Sequence, residues 1–247
     1  MNDHLHQPFK VKDGLELHFV NDIAIIVMNN GENRMNPAFV DDFNVLLDEV
    51  ERNSSCKGLI TTGRGKFYCN GIDLDWMKQN PQKLAEFLSQ TNKFIIRLLL
   101  FPVPTLAAIN GHAFAGGAVM AIAHDLRVQS QNQGWLCLNE VFINLRFERG
   151  LVSLMRTKVG GGHLFTDAAV LGKRYTGPEA LKSGLVHAAP PMSLMLAESI
   201  QLLKSFYGKS GYPRKSLQLM KSDVFRDALD LFKTFSNEMA NSFTAKL

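Results

Sequence analysis

The sequence of 247 residues has few of the features that mark secreted scaffolds, membrane proteins or nucleic-acid-binding proteins. Its three cysteines, Cys56, Cys69 and Cys137, are odd in number and scattered, which predicts a reducing compartment without disulfides. The longest apolar stretch, residues 94–101, is interrupted by Arg97 and is too short to span a bilayer. The formal net charge is only +4, and no basic block is interleaved with aromatic residues, so nucleic acid is not an expected partner.

Motifs for metals and common cofactors are also missing. No His or Cys cluster has metal-ligand spacing, and neither a dinucleotide-binding fingerprint nor a P-loop occurs. We therefore predict no metal site and no separate cofactor. The first ten residues hold no apolar run of the kind found in a secretory signal. A content of 46% hydrophobic and 20% charged residues is ordinary for a globular chain that can bury a sizeable core.

Strand and helix patterns alternate along most of the chain, which indicates an α/β protein. Apolar runs at residues 15–19 and 23–28 flank a turn and predict a hairpin. Asn36-Pro37 has the N-cap and first-position residues of a helix start. After Ala189-Pro190-Pro191 only helical periods occur, so we divide the chain into a core, residues 1–190, and a C-terminal helical region, residues 191–247.

Two glycine-containing loops carry the functional prediction. In residues 104–130, an apolar run of strand length ends at Asn110-Gly111, and Gly116-Gly117 then precede a short apolar helix. Glycines at a helix entry leave its first amides pointing outward at the positive end of the helix dipole, where a developing negative charge would be held. Tight packing of a buried helix is the alternative that this segment alone leaves open. The second loop, residues 63–76, also follows an apolar run and precedes a helical pattern.

Together these loops resemble those of the crotonase superfamily, the enoyl-CoA hydratases and isomerases. The family's aromatic-x-x-Gly-x-Asp pattern matches residues 68–73, and its Asn-Gly-x-Ala-x-x-Gly-Gly pattern matches residues 110–117. The resemblance covers roughly residues 15–189 and implies the crotonase fold, an α/β spiral of repeated ββα units, although the sequence shows no internal repeat. It also implies that the backbone amides of Ile72 and Gly116 hold a thioester oxygen.

In the resemblance, the positions of the two acids of the hydratases correspond to Val119 and Glu140 of this sequence. Moving a double bond needs one base, whereas adding water needs a second group, and Val119 cannot act as one. The pattern is that of the Δ3,Δ2-enoyl-CoA isomerases, and the plant-type peroxisomal branch is the most similar. We therefore expect an enzyme of fatty acid beta-oxidation that converts 3-enoyl-CoA to trans-2-enoyl-CoA, with Glu140 as the only proton carrier. An exposed strand-end carboxylate is the alternative for Glu140.

Glu148 departs from this pattern, because the related plant enzymes tend to carry Pro there. The dienoyl-CoA isomerases carry an Asp at that position, but they also keep an acid at the position of Val119. We expect Glu148 to favour the dipole of a helix that begins after it, and a second acid in proton transfer is the alternative. Three other functions stay open: a dienoyl-CoA isomerase, an enzyme similar to the hydratases, and a non-catalytic trimer that binds CoA esters.

The resemblance also implies an acyl-CoA site in which coenzyme A enters as part of the substrate. The expected contacts are Arg34, near a CoA phosphate, together with Met35, Tyr68, Asn70, Gly71, Asp73, Leu74 and Gly117. His112 and His124 are expected to be structural.

Assembly and location are predicted from the end of the chain. An apolar stripe of Phe225, Leu229, Phe232 and Phe235 would be exposed on a monomer, so we expect a homotrimer or hexamer. The final Ala-Lys-Leu resembles the peroxisomal Ser-Lys-Leu address. It predicts a peroxisomal protein if the source is eukaryotic and a cytoplasmic one if it is bacterial.

Overall fold

A computed structural model describes residues 7–233, which form two β-sheets with helices on both sides. The strands within this range are β1 (Lys10–Lys12), β2 (Leu15–Val20), β3 (Ile23–Met28), β4 (Gly58–Gly63), β5 (Phe67–Cys69), β6 (Thr105–Ile109), β7 (His112–Phe114), β8 (Leu126–Gln129) and β9 (Leu136–Cys137). The larger sheet has the order β1-β2-β3-β4-β6-β8, antiparallel from β1 to β3 and parallel from β3 to β8. The smaller sheet has the parallel order β5-β7-β9.

The helices follow the strands in a regular way. In the described range they are α1 (Pro37–Arg52), α2 (Leu74–Gln79), α3 (Leu84–Leu99), α4 (Gly116–Ala123), α5 (Arg149–Val159), α6 (Gly162–Phe165), α7 (Gly177–Ser183), α8 (Met195–Ser205), α9 (Arg214–Val224) and α10 (Arg226–Lys233). Single 3₁₀ turns form at Pro81–Lys83, Glu140–Ile143 and Met192–Leu194, and a π-helical turn forms at Thr166–Val170. No helix among these is long and apolar enough to cross a membrane.

The elements repeat as two strands followed by a helix. The pairs β2-β3, β4-β5, β6-β7 and β8-β9 are each followed by a helix, and from the second pair onward one strand enters each sheet. This is the expected spiral of ββα units, and it is confirmed. The repeat is one of topology, so it leaves no repeat in the sequence.

Local signals of the sequence explain the first of these units. Asn36 accepts a hydrogen bond from the Phe39 amide at 2.9 Å, and Pro37 occupies the first helical position, so α1 begins where its sequence predicts. Strands β3, β4, β6 and β8 are fully buried because helices cover both faces of the parallel part of the sheet. On one of those faces α8 packs Met195 and Leu203 against the strands. The boundary between the core and the C-terminal helical region, proposed at residue 190, stays a prediction.

The C-terminal stripe is buried differently from the prediction. Phe225 and Phe232 are only 8% and 9% exposed within the single chain, because α10 packs along α5. The expectation that a monomer would expose this stripe is therefore wrong for these two residues. Phe235, the end of the helix predicted over residues 225–243, and the final Ala-Lys-Leu lie outside the described residues.

Candidate active site

The backbone of Met35 binds the predicted loop of residues 63–76. Its amide donates to the carbonyl of Gly71 at 2.8 Å, and its carbonyl accepts from the amide of Asp73 at 2.8 Å. Met35 and Ile72 therefore pair as a single parallel bridge, in which Ile72 turns its own peptide groups away from Met35. The amide of Ile72 has no hydrogen-bond acceptor among residues 7–233.

A second free amide lies beside the first, at the start of α4. The amide of Gly116 likewise has no acceptor in the described part of the chain. It follows Ala115, whose φ of 48° and ψ of −124° are a strained conformation for a residue with a side chain. A Cβ atom built on Gly71, which has φ +82°, would lie 3.1 Å from the Gly116 nitrogen. The loops approach this closely because Gly71 has no side chain.

Both amides border a cavity of about 740 Å³, a size in the usual range for small-molecule sites. Ile72 and Gly116 line it, and so do Val119, Glu140 and Glu148. The cavity thus brings together the residues of the predicted amides, the predicted base and Val119, at which the resemblance predicts a second acid in the hydratases.

Glu140 lies in the 3₁₀ turn that follows β9, with 7% of its surface exposed. Its Oε2 atom is buried and has no partner among the described residues. Burial raises the pKa of this carboxyl to about 8, and the hydrogen bond from its own amide opposes that rise. An exposed strand-end carboxylate, the alternative from sequence, is therefore wrong for Glu140.

Glu148 also faces the cavity, although the sequence favoured a different role. It is the N-cap residue of α5, but its side chain makes no capping hydrogen bond. The carboxyl is instead buried, at 2% exposure, and its Oε2 accepts a hydrogen bond from Nδ2 of Asn92 on α3. Burial raises the pKa of Glu148 to about 7, against the effect of that hydrogen bond. Glu148 therefore stands at the predicted helix start, but Asn92, and not the amides of α5, holds its side chain.

Asn92 is a cavity residue that the sequence reasoning missed. It lies four residues after Leu88 and four before Ile96, so it interrupts the face of α3 on which all three line the cavity. A polar residue at this spacing within an apolar stripe was the available signal.

The other predicted contacts divide into two groups. Arg34, Met35, Asn70 and Leu74 line the cavity. Arg34 is paired at 2.6 Å with Glu32 and at 3.1 Å with Asp75, so a phosphate there would compete with two carboxylates.

Tyr68, Asp73 and Gly117 support the loops from behind. The Tyr68 hydroxyl is fully buried and lies 2.8 Å from Oγ1 of Thr61, and Asp73 caps α2 by accepting from the Trp76 amide at 3.1 Å. A Cβ atom on Gly117 would lie 2.1 Å from the carbonyl oxygen of Cys69. These three residues therefore fix the loop geometry without lining the cavity.

The two histidines near the site have structural partners. His124 is fully buried, with Nε2 3.0 Å from Oγ1 of Thr61, and burial lowers its pKa to about 4. His112 lies among the rings of Phe67, Phe114 and Trp135. No group of three or more His, Cys, Asp and Glu side chains within residues 7–233 is placed to hold a metal ion.

Known proteins resemble this chain in both sequence and structure. The sequence profile of the enoyl-CoA hydratase/isomerase family matches residues 18–246. Enoyl-CoA delta isomerase 2, peroxisomal, from Arabidopsis thaliana is 32% identical over 173 residues, which cover 67% of this chain and 72% of that protein. Enoyl-CoA delta isomerase 3 from the same plant is 34% identical over 164 residues, which cover 64% of this chain and 68% of the relative.

Solved structures with lower identity share the fold. The apo structure of an enoyl-CoA isomerase from Mycobacterium tuberculosis has a TM-score of 0.81 at 23% identity, covering 95% of this chain and 99% of that one. Human mitochondrial delta3-delta2-enoyl-CoA isomerase has a TM-score of 0.78 at 20% identity, covering 92% and 93%. The chain therefore has the crotonase fold and belongs to the enoyl-CoA hydratase/isomerase family.

Proposed function

We propose that the protein is a Δ3,Δ2-enoyl-CoA isomerase, which converts 3-enoyl-CoA to trans-2-enoyl-CoA. One observation carries the proposal: within residues 7–233, a buried carboxyl with an unpartnered oxygen, Glu140, lines the same cavity as the residues of two amides that have no acceptor, Ile72 and Gly116. Val119, which is 2% exposed, supplies no second acid for the activation of water. The relatives from Arabidopsis thaliana that are named enoyl-CoA delta isomerases support this choice.

The reaction needs one proton to leave and to return. The carboxylate of Glu140 takes a proton from C2 of the thioester, and the electrons of that C–H bond form a dienolate whose negative charge lies on the thioester oxygen. Protonated Glu140 then gives the proton to C4, so that the C3–C4 double bond becomes a C2–C3 double bond. Atoms and charge balance without a water molecule or a redox partner.

The two amides stabilise the charge that forms in the first step. Donors fixed at the place where an oxyanion develops contribute strongly to catalysis, and the loss of one typically costs about 3–4 kcal/mol of transition-state stabilisation. The Gly116 amide is also at the N-terminus of α4, where the helix dipole favours a negative charge. Coenzyme A would extend from this point along Met35, Asn70 and Leu74 toward Arg34, which all line the cavity.

A second candidate, a dienoyl-CoA isomerase, is favoured by one observation. Glu148 lies in the same cavity as Glu140 and keeps a buried Oε1 atom without a partner in the described chain. Two carboxyl groups could move a proton over more carbon atoms than one group can reach. We rank this function second because Glu148 is already held by Asn92 and because Val119 occupies the place of a further acid.

Assays with three thioester substrates distinguish these enzyme activities. An isomerase converts trans-3-hexenoyl-CoA into a conjugated thioester, which is followed by its absorbance. A hydratase removes the conjugated absorbance of crotonyl-CoA, and a dienoyl-CoA isomerase acts on a 3,5-dienoyl-CoA. We expect turnover of the first substrate alone. A protein that binds these thioesters but converts none of them would be the non-catalytic trimer, and the proposal would be wrong.

Assembly as a homotrimer or hexamer stays a prediction. Val141 and Phe142 beside Glu140, together with Val170 and Leu171, are exposed, so a copy of the chain would have an apolar surface to cover. Solution scattering would decide, and a monodisperse monomer would contradict the prediction. Peroxisomal targeting stays a prediction as well, although two of the Arabidopsis thaliana relatives are named as peroxisomal.

A further inference from the structure

Helix α3 lines the cavity along its whole length. Ala85, in its first turn, and Leu100, directly after its last residue, both contact the cavity. A rise of about 1.5 Å per residue puts these two residues about 22 Å apart. The cavity is therefore elongated and has two ends that can be compared.

The end near the start of α3 holds the polar residues Arg34 and Asn70. The ring of Trp76 in α2 packs edge-on against Phe87 at 4.9 Å, which brings the loop that carries Asn70 to this end. Arg34, which pairs with Asp75 in α2, lines the cavity here as well. A group that carries phosphates and amides suits this end.

The end beyond Asn92 is apolar. Lys221 in α9, five residues before α10, donates a hydrogen bond at 3.0 Å to the carbonyl of Phe101, which follows the end of α3. We define the distal arm as the apolar residues that line the cavity here: Ile96, Leu100, Leu151, Leu229 and Phe232. Ser222 and Lys233 are its polar neighbours in the lining.

Glu148 lies before this arm. The hydrogen bond from Asn92 fixes Glu148 at the start of α5, and the next turn of α5 packs under α10. A Cβ atom on Gly150 would lie 2.6 Å from Cγ of Phe232, so this ring rests directly on the α5 backbone. From Asn92 to Leu100 the helix rises about 12 Å, and this is the length of α3 that borders the cavity beyond Glu148.

The apolar side chains of the arm are not all covered by the protein. Ile96, Leu100, Leu151 and Leu229 are only partly buried, although each packs beside the core or lines the cavity. Partly exposed apolar walls on both sides of a cleft gain stability when an apolar ligand removes water from them.

We infer that the distal arm binds the acyl chain beyond its reacting carbons, and that the protein therefore prefers medium and long acyl chains, with Leu229 and Phe232 as the residues that set the length limit. This inference rests on the proposed function only in taking an acyl-CoA thioester as the ligand. A butyryl chain ends near the carboxyl groups and leaves the arm empty, whereas a decanoyl chain fills it.

Calorimetric titration with saturated thioesters tests the inference without turnover, since neither butyryl-CoA nor decanoyl-CoA can be isomerised. We expect the Kd to fall with each added methylene, by up to about fourfold per group buried. Leu229→Trp fills the arm and should remove this length dependence while the Kd of butyryl-CoA stays within about threefold. Ile96→Phe fills the arm from its α3 side and should also remove the length dependence. Because Ile96 lies in α3, this variant shows whether the effect of Leu229→Trp comes only from misfolding of α10.

Leu219→Trp is the matched control, because Leu219 is an exposed residue of α9 outside the cavity lining. It should keep the full length dependence. Equal affinity of the wild-type protein for butyryl-CoA and decanoyl-CoA would overturn the inference and leave the proposed function intact. Length-dependent binding without isomerase activity would support the inference and contradict the proposed function. If no thioester binds at all, both are wrong.

Discussion

The side-chain amide of Asn92 donates a hydrogen bond to Oε2 of Glu148, while the Glu140 carboxyl in the same cavity has no side-chain partner among the described residues. A carboxyl held by a neighbour keeps its position but gives up one oxygen as an acceptor. A carboxyl with a free, buried oxygen can accept a proton from a substrate that enters the cavity. We therefore expect the two acids to have different tasks.

The first prediction separates these tasks by substitution. Glu140→Gln keeps the size of the side chain but cannot accept a proton, so we expect kcat for trans-3-hexenoyl-CoA to fall by about two to four decades. Glu148→Gln should retain most of the activity, because Asn92 can still hold an amide oxygen at that position. Steady-state kinetics would show the difference. If Glu148→Gln is the inactive variant and Glu140→Gln is active, Glu148 is the proton carrier and the assignment is wrong.

The second prediction concerns the pH dependence of the rate. Burial raises the pKa of Glu140 to about 8, so the protonated form predominates at neutral pH and the base form increases as the pH rises. We expect kcat/KM to increase with pH through an apparent pKa near 8. A flat profile between pH 6 and 9 would contradict a titrating base.

A third prediction concerns stability, which ionisation of Glu140 lowers even though the same ionisation raises the expected rate. The folded pKa of Glu140, about 8, is above its ordinary value of 4.5, so folding favours the neutral carboxyl. Its stabilising contribution is present below about pH 4.5 and is lost as the pH rises toward 8. Glu140→Gln cannot ionise, and we expect it to raise the free energy of unfolding at pH 8 by about 1–3 kcal/mol relative to wild type.

Urea unfolding at pH 5 and pH 8 measures this effect. The gain should be smaller at pH 5, where the unfolded carboxyl is only partly ionised. Glu86→Gln, at an exposed position of α3 outside the cavity lining, should show no such difference between the two values of pH. An equal gain at both values would mean that packing, and not titration, causes it.

The fourth prediction tests the contact between the two loops. Gly71→Ala places a side chain at φ +82° and within 3.0 Å of the Phe114 carbonyl oxygen, so the loop must move away from Gly116. We expect the amide of Ile72 to leave its position and kcat to fall at least tenfold, with a stability cost of about 1–3 kcal/mol. Gly208→Ala is the control, because a Cβ atom there meets nothing within 4 Å and needs no positive φ. Full activity of Gly71→Ala would contradict the role of this loop.

Much of the fold could be predicted because its signals are local. The hairpin of β2 and β3 turns at Asn21, whose φ of 55° suits an asparagine, and α1 begins at Asn36-Pro37. The order of strands in the two sheets is not local, since β4 lies between β3 and β6. It follows only from the resemblance of the glycine loops, because hydrophobic periodicity gives element types and not their neighbours.

The candidate site shows the same division. The loop motifs and the family resemblance predicted Ile72, Gly116 and Glu140 as site residues, but they could not say that Tyr68 faces Thr61 or that Glu148 faces Asn92. These orientations depend on which helix packs across the cavity. The stripe of α10 is a similar case: its period predicts an apolar face, yet only packing decides whether α5 or another molecule covers it.

The last prediction concerns the ion pair that joins the C-terminal helices to the core. Lys221 in α9 lies 2.6 Å from Oδ2 of Asp125, and its side chain is 7% exposed. Burial lowers the pKa of Lys221, and the carboxylate of Asp125 opposes this. Oδ1 of Asp125 also lies 3.8 Å from Nζ of Lys158, and its Oδ2 accepts a hydrogen bond from the Thr105 amide at 2.8 Å. This one carboxylate is therefore the counter-charge of two buried ammonium groups.

Removing the shared carboxylate should therefore cost more than removing one cation. We expect Asp125→Asn to lower the free energy of unfolding by about 3–5 kcal/mol, because two buried ammonium groups then lack a counter-charge. Lys221→Met should cost less, since Lys158 and Thr105 still pair with Asp125. Arg226→Met, which breaks an exposed pair with Asp223, should cost at most about 1 kcal/mol. Urea unfolding ranks the three variants, and a larger loss for Lys221→Met than for Asp125→Asn would show that the hydrogen bond from Lys221 to Phe101, and not the shared charge, holds α9 in place.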